Sequence, residues 1–258
     1  MYMEKWNFLN ILLVLTIFFS ACDKKNDHKE EPFIRLVSRM DFANNEFYEF
    51  DYDAKNRISK IKIFWHSNNY TITYSYPTAN TIVVSNIDES ETTYTLNKDG
   101  YLTSYLNENI TYANGCLQKS EEVSKDYIAT NTWIWKNGNI ETKSTEMKYF
   151  NNDKSGQNWS STYICEYGTT LNKPVSIEFV HGFIITNLGI IPYGWFGKST
   201  LNMPEKFVYS KENITHPHKS YRYETDKDGY VTKIYRTNYH GSEEDVEDEE
   251  LIAAIQYK

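Results

Sequence analysis

The sequence predicts an all-β chain: an antiparallel meander of hairpins curled into an open barrel or a two-layer sandwich. Three observations carry that expectation. Strand-forming aromatics are abundant, with 22 Tyr, 13 Phe and 6 Trp, and such side chains suit a pleated, half-buried surface. Apolar and polar residues alternate, and no sustained helical stripe follows the N-terminal run. Turn residues fall between the alternating segments.

The alternation is plain along the chain. Tyr70, Ile72, Tyr74 and Tyr76 are separated by Thr71, Thr73 and Ser75. Trp133 with Trp135, Tyr163 with Cys165 and Tyr167, Val175 with Ile177 and Phe179, and Tyr221 with Tyr223 follow suit. Period two puts each set on one sheet face. Asn114-Gly115 and Asn137-Gly138 mark type I′ turns, whose two central residues both need positive φ. Asp99-Gly100, Asp228-Gly229 and the segment from Asp53 to Asn56 are further turns.

These turns sit in a degenerate repeat. Tyr52 leads through Asn56-Arg57-Ile58-Ser59-Lys60-Ile61, Leu96 through Gly100-Tyr101-Leu102-Thr103-Ser104-Tyr105, and Tyr223 through Gly229-Tyr230-Val231-Thr232-Lys233-Ile234. Shorter versions occur at Tyr112-Ala113-Asn114-Gly115-Cys116-Leu117 and Trp135-Lys136-Asn137-Gly138-Asn139-Ile140. Strands so connected pair with their sequence neighbours. About 10–14 strands are expected, curled because a flat sheet that long does not persist. The last should run from Leu251 to Tyr257.

The N-terminus is different in kind. Lys5 precedes an apolar run from Asn10 to Phe19, and Phe19-Ser20-Ala21-Cys22 closes it as a lipobox. The run is shorter than the ~20 apolar residues of a spanning helix. This is signal-peptide architecture, with Cys22 as the lipidation site. Asp23 to Pro32 is charged and reads as a flexible tether. Residues 1–21 are thus signal peptide, 22–32 tether and 33–258 one all-β domain. The expected location is extracytoplasmic, lipid-anchored at a bacterial outer membrane or cell surface, with the lipid providing membrane contact.

The hairpins resemble the YD-type hairpins of Rhs-like proteins. The chain more fully resembles a family of Bacteroidetes-type surface lipoproteins known mainly as a domain of unknown function. That resemblance rests on the lipobox, on the hairpins across residues 45–240, and on Gly194-Trp195-Phe196-Gly197-Lys198-Ser199 followed by Asn202 and Pro204. It implies a secreted all-β lipoprotein and brings no catalytic residues with it.

Composition narrows the chemistry. A net charge of −8 argues against nucleic acid and anionic surfaces as partners. Glu243 to Glu250 is a run of acids without EF-hand spacing, read as a solvated loop. Gly197-Lys198-Ser199-Thr200 resembles the end of a P-loop, but Pro192 stands where the cradle needs Gly. The segment is read as packing, with Trp195 and Phe196 buried. His216-Pro217-His218 is read as a polar loop, and no metal or cofactor is expected. Asp41, Glu46, Glu49 and Asp51 are placed on the solvent side of an edge strand. Cys116 and Cys165 are candidates for a disulfide in an oxidising compartment.

The aromatic surplus offers binding candidates. Trp133, Trp135, Trp65 and Trp159 have the flat faces that stack on sugars, with Trp133 and Trp135 placed near a sheet edge. The leading expectation is a non-enzymatic binder of a carbohydrate or a surface protein. A carrier of an apolar ligand inside a curled sheet is the alternative, and a glycan-processing enzyme a third reading.

Overall fold

The computed structural model describes residues 34–258 apart from 86–87, 89, 106, 151–157, 179–191, 212–213, 241 and 243–244. The signal peptide, Cys22 and the tether lie outside the described residues. Alternation becomes strand at the runs around Tyr70, Trp133, Tyr163 and Tyr221, though not at Val175 and Ile177. The strands are β1 (Val37–Asp41), β2 (Phe47–Tyr52) after a single 3-10 turn at Ala43–Asn45, β3 (Ile58–Trp65), β4 (Asn68–Thr78), β5 (Thr81–Ser85), β6 (Glu91–Thr95), β7 (Ser104–Tyr105) and β8 (Glu108–Ala113). They continue as β9 (Cys116–Val123), β10 (Tyr127–Lys136), β11 (Asn139–Tyr149), β12 (Trp159–Leu171), β13 (Asn202–Lys211), β14 (Ile214–Thr225), β15 (Val231–Asn238) and β16 (Glu250–Tyr257).

Each strand pairs antiparallel with its sequence neighbour, and β1 also pairs with β16. The wall is therefore a sixteen-stranded, nearly closed barrel whose one unsealed seam lies between β6 and β7. The seam is bridged at one end, where Leu96 pairs with Leu102 and Thr103 N–H donates to the Thr95 carbonyl at 2.9 Å. Farther along, the Tyr94 and Tyr105 rings stack across it with centroids 5.6 Å apart. The strand number exceeds the 10–14 expected because several hairpins lack a Gly signature. The β3–β4 turn puts His66 (φ 48°) and Ser67 (φ 63°) in the left-handed region with no glycine to announce it.

All the repeat turns gather at one rim. Asn114 and Gly115 have φ of 53° and 80°, and Asn137 and Gly138 have 51° and 76°, as type I′ turns require. Just beyond these turns, after Ile58, Leu117, Ile140 and Val231, the register slips by one residue. Such bulges sharpen the twist and help curl the wall.

Four of the five repeat units are led by an aromatic, and each of those side chains points inward and closes a hydrogen bond, as do Tyr76 and Tyr257. Tyr52 Oη donates to the Val37 carbonyl (2.6 Å), Tyr76 Oη to Ile58 (2.8 Å) and Tyr112 Oη to Leu102 (2.9 Å). Trp135 Nε1 donates to Leu117 (2.7 Å), Tyr223 Oη to Pro204 (2.5 Å) and Tyr257 Oη to Val231 (2.6 Å). In each case the last inward aromatic of one strand clasps a residue at or near the start of the strand before it, or, for Leu102, just ahead of that strand. Tyr167 holds the same place against Ile140, but its buried hydroxyl falls short of hydrogen-bond geometry.

That rim is stoppered by the β12–β13 connection. Ser176 N–H donates to the Arg35 carbonyl (3.0 Å), Lys198 N–H to Gly115 (2.8 Å) and Leu201 N–H to Gly138 (3.0 Å). The Trp195 carbonyl accepts from Leu102 N–H at 2.8 Å. Trp195 and Phe196 are buried, Trp195 against Tyr74 and Tyr94, Phe196 against Tyr105. Gly197 has φ +89°, and a Cβ there would stand 2.4 Å from the Gly115 carbonyl oxygen. Val175 and Ile177 alternate as a strand would. They belong to the stopper instead, held by isolated bridges to Arg35 and Pro192, while Phe179 lies outside the described residues.

Polarity sorts across the wall. Phe50, Ile61, Ile82, Leu117, Phe207 and Ile234 face a dry interior. The outer face carries ion pairs: Arg39 with Asp41 (2.7 Å) and Glu49 (3.0 Å), Lys62 with Asp51 (3.6 Å), Lys233 with Glu224 (2.8 Å). Asp41, Glu49 and Asp51 are outer-wall residues, but not on an edge, since β1 and β2 each have neighbours on both sides. Glu46 lies just before β2 and faces His66 at 3.5 Å.

Candidate functional site in the far mouth

At the end away from the stopper, the inner wall of β8–β15 turns polar. Register aligns Ser120, Asn131, Thr145 and Ser161 side by side on β9, β10, β11 and β12. Four strands at about 4.8 Å spacing make this belt roughly 14 Å wide. Its members are joined. Thr145 Oγ1 donates to Asn131 Oδ1 (2.8 Å), Asn131 Nδ2 to Ser120 Oγ (3.2 Å), and Ser120 Oγ to the Glu108 carboxylate. Ser120 and Ser161 are buried.

Aromatic and charged side chains border the belt on both sides. Toward the stopper, register sets Trp133, Lys143, Tyr163 and Tyr209 in one row. Lys143 Nζ stands 5.7 Å from the Trp133 ring. Burial lowers the Lys143 pKa, and the nearby Glu108 charge opposes that shift. Trp133 Nε1 is buried with no hydrogen-bond partner. Toward the mouth stand Tyr127 and Tyr149, rings 6.0 Å apart, and the half-buried Trp159. Farther round, burial and Arg236 lower the Lys219 pKa, and Arg236 pairs with Glu250. A concave wall with interleaved donors, acceptors and ring edges suits a ligand that both donates and accepts hydrogen bonds.

The sequence candidates separate in this frame. Trp133 and Trp135 are 5% and 4% exposed, on β10 between β9 and β11. They are core residues and not an edge-strand stacking platform, because period two turns both rings inward. Trp65 is 47% exposed on the far rim, stacked on His66 at 5.0 Å. Trp159 is on the same rim, seven strands away through β1 and β16, and so nearly opposite across the mouth. Cys165 is a free, buried thiol, so the Cys116–Cys165 disulfide is not formed. The two residues lie on β9 and β12, three strand spacings apart, beyond the ~7 Å Cα limit of a disulfide. His218 is not in a loop but on β14, 5.5 Å from the Tyr163 ring.

Two acids of the β15–β16 connection are engaged in pairs. Glu249 holds Arg222 at 2.6 Å and Glu247 holds His240 at 2.8 Å. Among the described residues no group of three or more His, Cys, Asp or Glu is placed to hold a metal ion. Glu108, Ser120, Asn131, Lys143 and Thr145 were not among the sequence candidates. Their trace in the sequence is a break of pattern: Asn131 takes the inward parity of Tyr127, Ala129, Trp133 and Trp135.

No family model and no curated protein matches the chain. Among solved structures, it is similar to a porin-like protein from Bacteroides uniformis, with TM-score 0.59 and 15% identity over 86% of this chain and 98% of that one. A porin-like protein from Bacteroides vulgatus aligns with TM-score 0.46 and 12% identity over 86% and 99%. The first likeness supports the nearly closed all-β barrel. A membrane-spanning barrel carries an apolar outward band about 25 Å tall and a polar lumen. Here the outer wall is ion-paired and the stoppered half of the interior is apolar.

Proposed function

We propose that the chain is a non-enzymatic, lipid-anchored extracytoplasmic protein that binds a carbohydrate in the far mouth of its barrel. The observation that carries this reading is the polar belt from Ser120 to Ser161, flanked by aromatic rows on an inner wall. Buried polar groups are kept where they specify something, since an apolar wall of the same shape is no less stable. The mixture of Glu108, Asn131, Lys143 and Thr145 matches sugar hydroxyls, each of which donates and accepts. The lipobox at Cys22 supports the anchor and the location at a bacterial outer membrane or surface.

The charged outer wall and the stopper speak against a transmembrane pore. An apolar-ligand carrier has less support, because the dry half of the interior is already packed with side chains. Calorimetry against an oligosaccharide panel tests the reading. Asn131→Leu with Thr145→Val should weaken a detected ligand about tenfold or more, the loss of one to two hydrogen bonds. Undiminished binding by a folded double variant places the site elsewhere. Hydrolysis of the bound glycan removes the non-enzymatic part of the proposal.

A further inference from the structure

A cleft on the stoppered rim, beside the seam, is separate from the mouth. It exists because the chain leading into β7 parts from β8 there. The Thr103 carbonyl still accepts from Ile110 N–H at 2.9 Å, but Leu102 has left β8 to pair with Leu96, and its own N–H donates to the Trp195 carbonyl at 2.8 Å. Tyr112 Oη spans the gap to the Leu102 carbonyl at 2.9 Å. The turn from Asn97 to Gly100 lines one side, the Asn114-Gly115 turn the other, and Lys198 joins them from the stopper. The space between them is about 760 Å³, within the range of small-molecule sites.

The fold leaves several polar groups of this cleft unused. Ile110 turns its N–H toward the β7 side, so alternation along β8 turns the Tyr112 N–H and carbonyl the same way, to where Leu102 has withdrawn. Among the described residues, the Asp99 carboxylate, the Tyr101 hydroxyl and the Asn114 amide have no hydrogen-bond partner. Asn97 Oδ1 accepts from Asp99 N–H at 2.9 Å and Tyr101 N–H at 3.0 Å, which fixes the turn that carries them. The Tyr101 and Tyr112 rings lie 5.2 Å apart at 43°. A Cβ on Gly115 would stand 3.1 Å from Tyr101 Oη and 3.2 Å from Lys198 Cε, so glycine keeps the space between them open. Burial and then the Asp99 charge raise the Tyr101 pKa, which keeps its hydroxyl a donor. One carboxylate and one ammonium balance, so charge favours neither an anion nor a cation. Aromatic rings beside mixed donors and acceptors match a sugar, whose C–H groups pack on aromatic faces and whose hydroxyls both donate and accept. We propose that this cleft is a second carbohydrate site, for a neutral sugar, at the opposite end of the barrel from the mouth. It uses none of the mouth residues and does not depend on that reading.

The test uses the full chain carrying Asn131→Leu and Thr145→Val, so that a site in the mouth is already disabled. It is titrated calorimetrically with cellotriose, maltotriose, xylotriose and chitotriose, and with glycylglycine as a zwitterionic probe, in a detergent without sugar groups. At least one trisaccharide should bind. Adding Asp99→Ala with Asn114→Gly should weaken it about tenfold or more, the loss of one to two hydrogen bonds. Both positions are exposed, and glycine accepts the positive φ of Asn114, so the fold should survive. If that variant melts early, Tyr101→Phe, which removes only a hydroxyl, takes its place with the same expected direction. Undiminished binding by a folded cleft variant, binding of glycylglycine alone, or no binding at all overturns the inference. The mouth is read separately in the parental chain, so its reading stands or falls on its own.

Discussion

Replacing Tyr52 with Phe deletes one oxygen and tests how the stopper is tied to the wall. Tyr52 Oη donates to the Val37 carbonyl at 2.6 Å and meets Ser176 Oγ at 2.6 Å, while Ser176 Oγ accepts from Val37 N–H at 3.0 Å. Val37 is fully buried, so no water replaces the lost donor. A buried acceptor stripped of its partner costs about 1–3 kcal/mol. For a domain of this size, 2 kcal/mol corresponds to a fall of about 4–8 °C in Tm. Burial pushes the Tyr52 pKa up to about 12, against the bonds to Ser176 and Val37, which lower it. The folded-state pKa lies above the unfolded value, so the associated stability is present below pH ~10 and is lost as pH rises toward about 12. Thermal unfolding followed by near-ultraviolet circular dichroism, repeated across that window, reads both effects. Tyr52→Phe should lower Tm at pH 7 and lose less stability than the parent between pH 10 and 12. A Tm within about 1 °C of the parent, with the same alkaline profile, would refute the clasp as a source of stability.

Two further outcomes follow from the stopper and the core. Gly197→Ala should cost more than Gly194→Ala in a denaturant titration. Both have φ above +80°, but only at Gly197 does the added Cβ meet backbone, the Gly115 carbonyl at 2.4 Å; about 2–4 kcal/mol against about 1 kcal/mol is the expected contrast, and equal costs would mean the stopper shifts freely. Cys165 is buried and its pKa is raised, by burial above all. Peptide mapping after alkylation at pH 8 should find Cys165 unmodified in native protein and modified in denaturant, and rapid native labelling would contradict the packing described.

The turns and face assignments were legible in the sequence because they depend on neighbours in the chain. Asn137-Gly138 needs only its own backbone to adopt a type I′ turn, and Tyr70 to Tyr76 need only period two to share a face. The repeat units were visible for the same reason, since each spans one turn and two strand ends. Their purpose was not. That Tyr112 clasps Leu102 and Trp135 clasps Leu117 follows from strand register, and a register slip of one residue sends a side chain to the opposite face.

Closure was decided by the tertiary structure alone. Pairing of β1 with β16 brings together residues more than 200 positions apart, and no local preference distinguishes a closed wall from a sandwich. Closure turned Trp133 and Trp135 from apparent edge residues into core, and three intervening strand spacings separated Cys116 from Cys165. It also made a site of Ser120, Asn131, Thr145 and Ser161. Each is an ordinary polar residue in its own strand. Only the register of four strands sets them in a row, and only the curvature of the barrel turns that row inward.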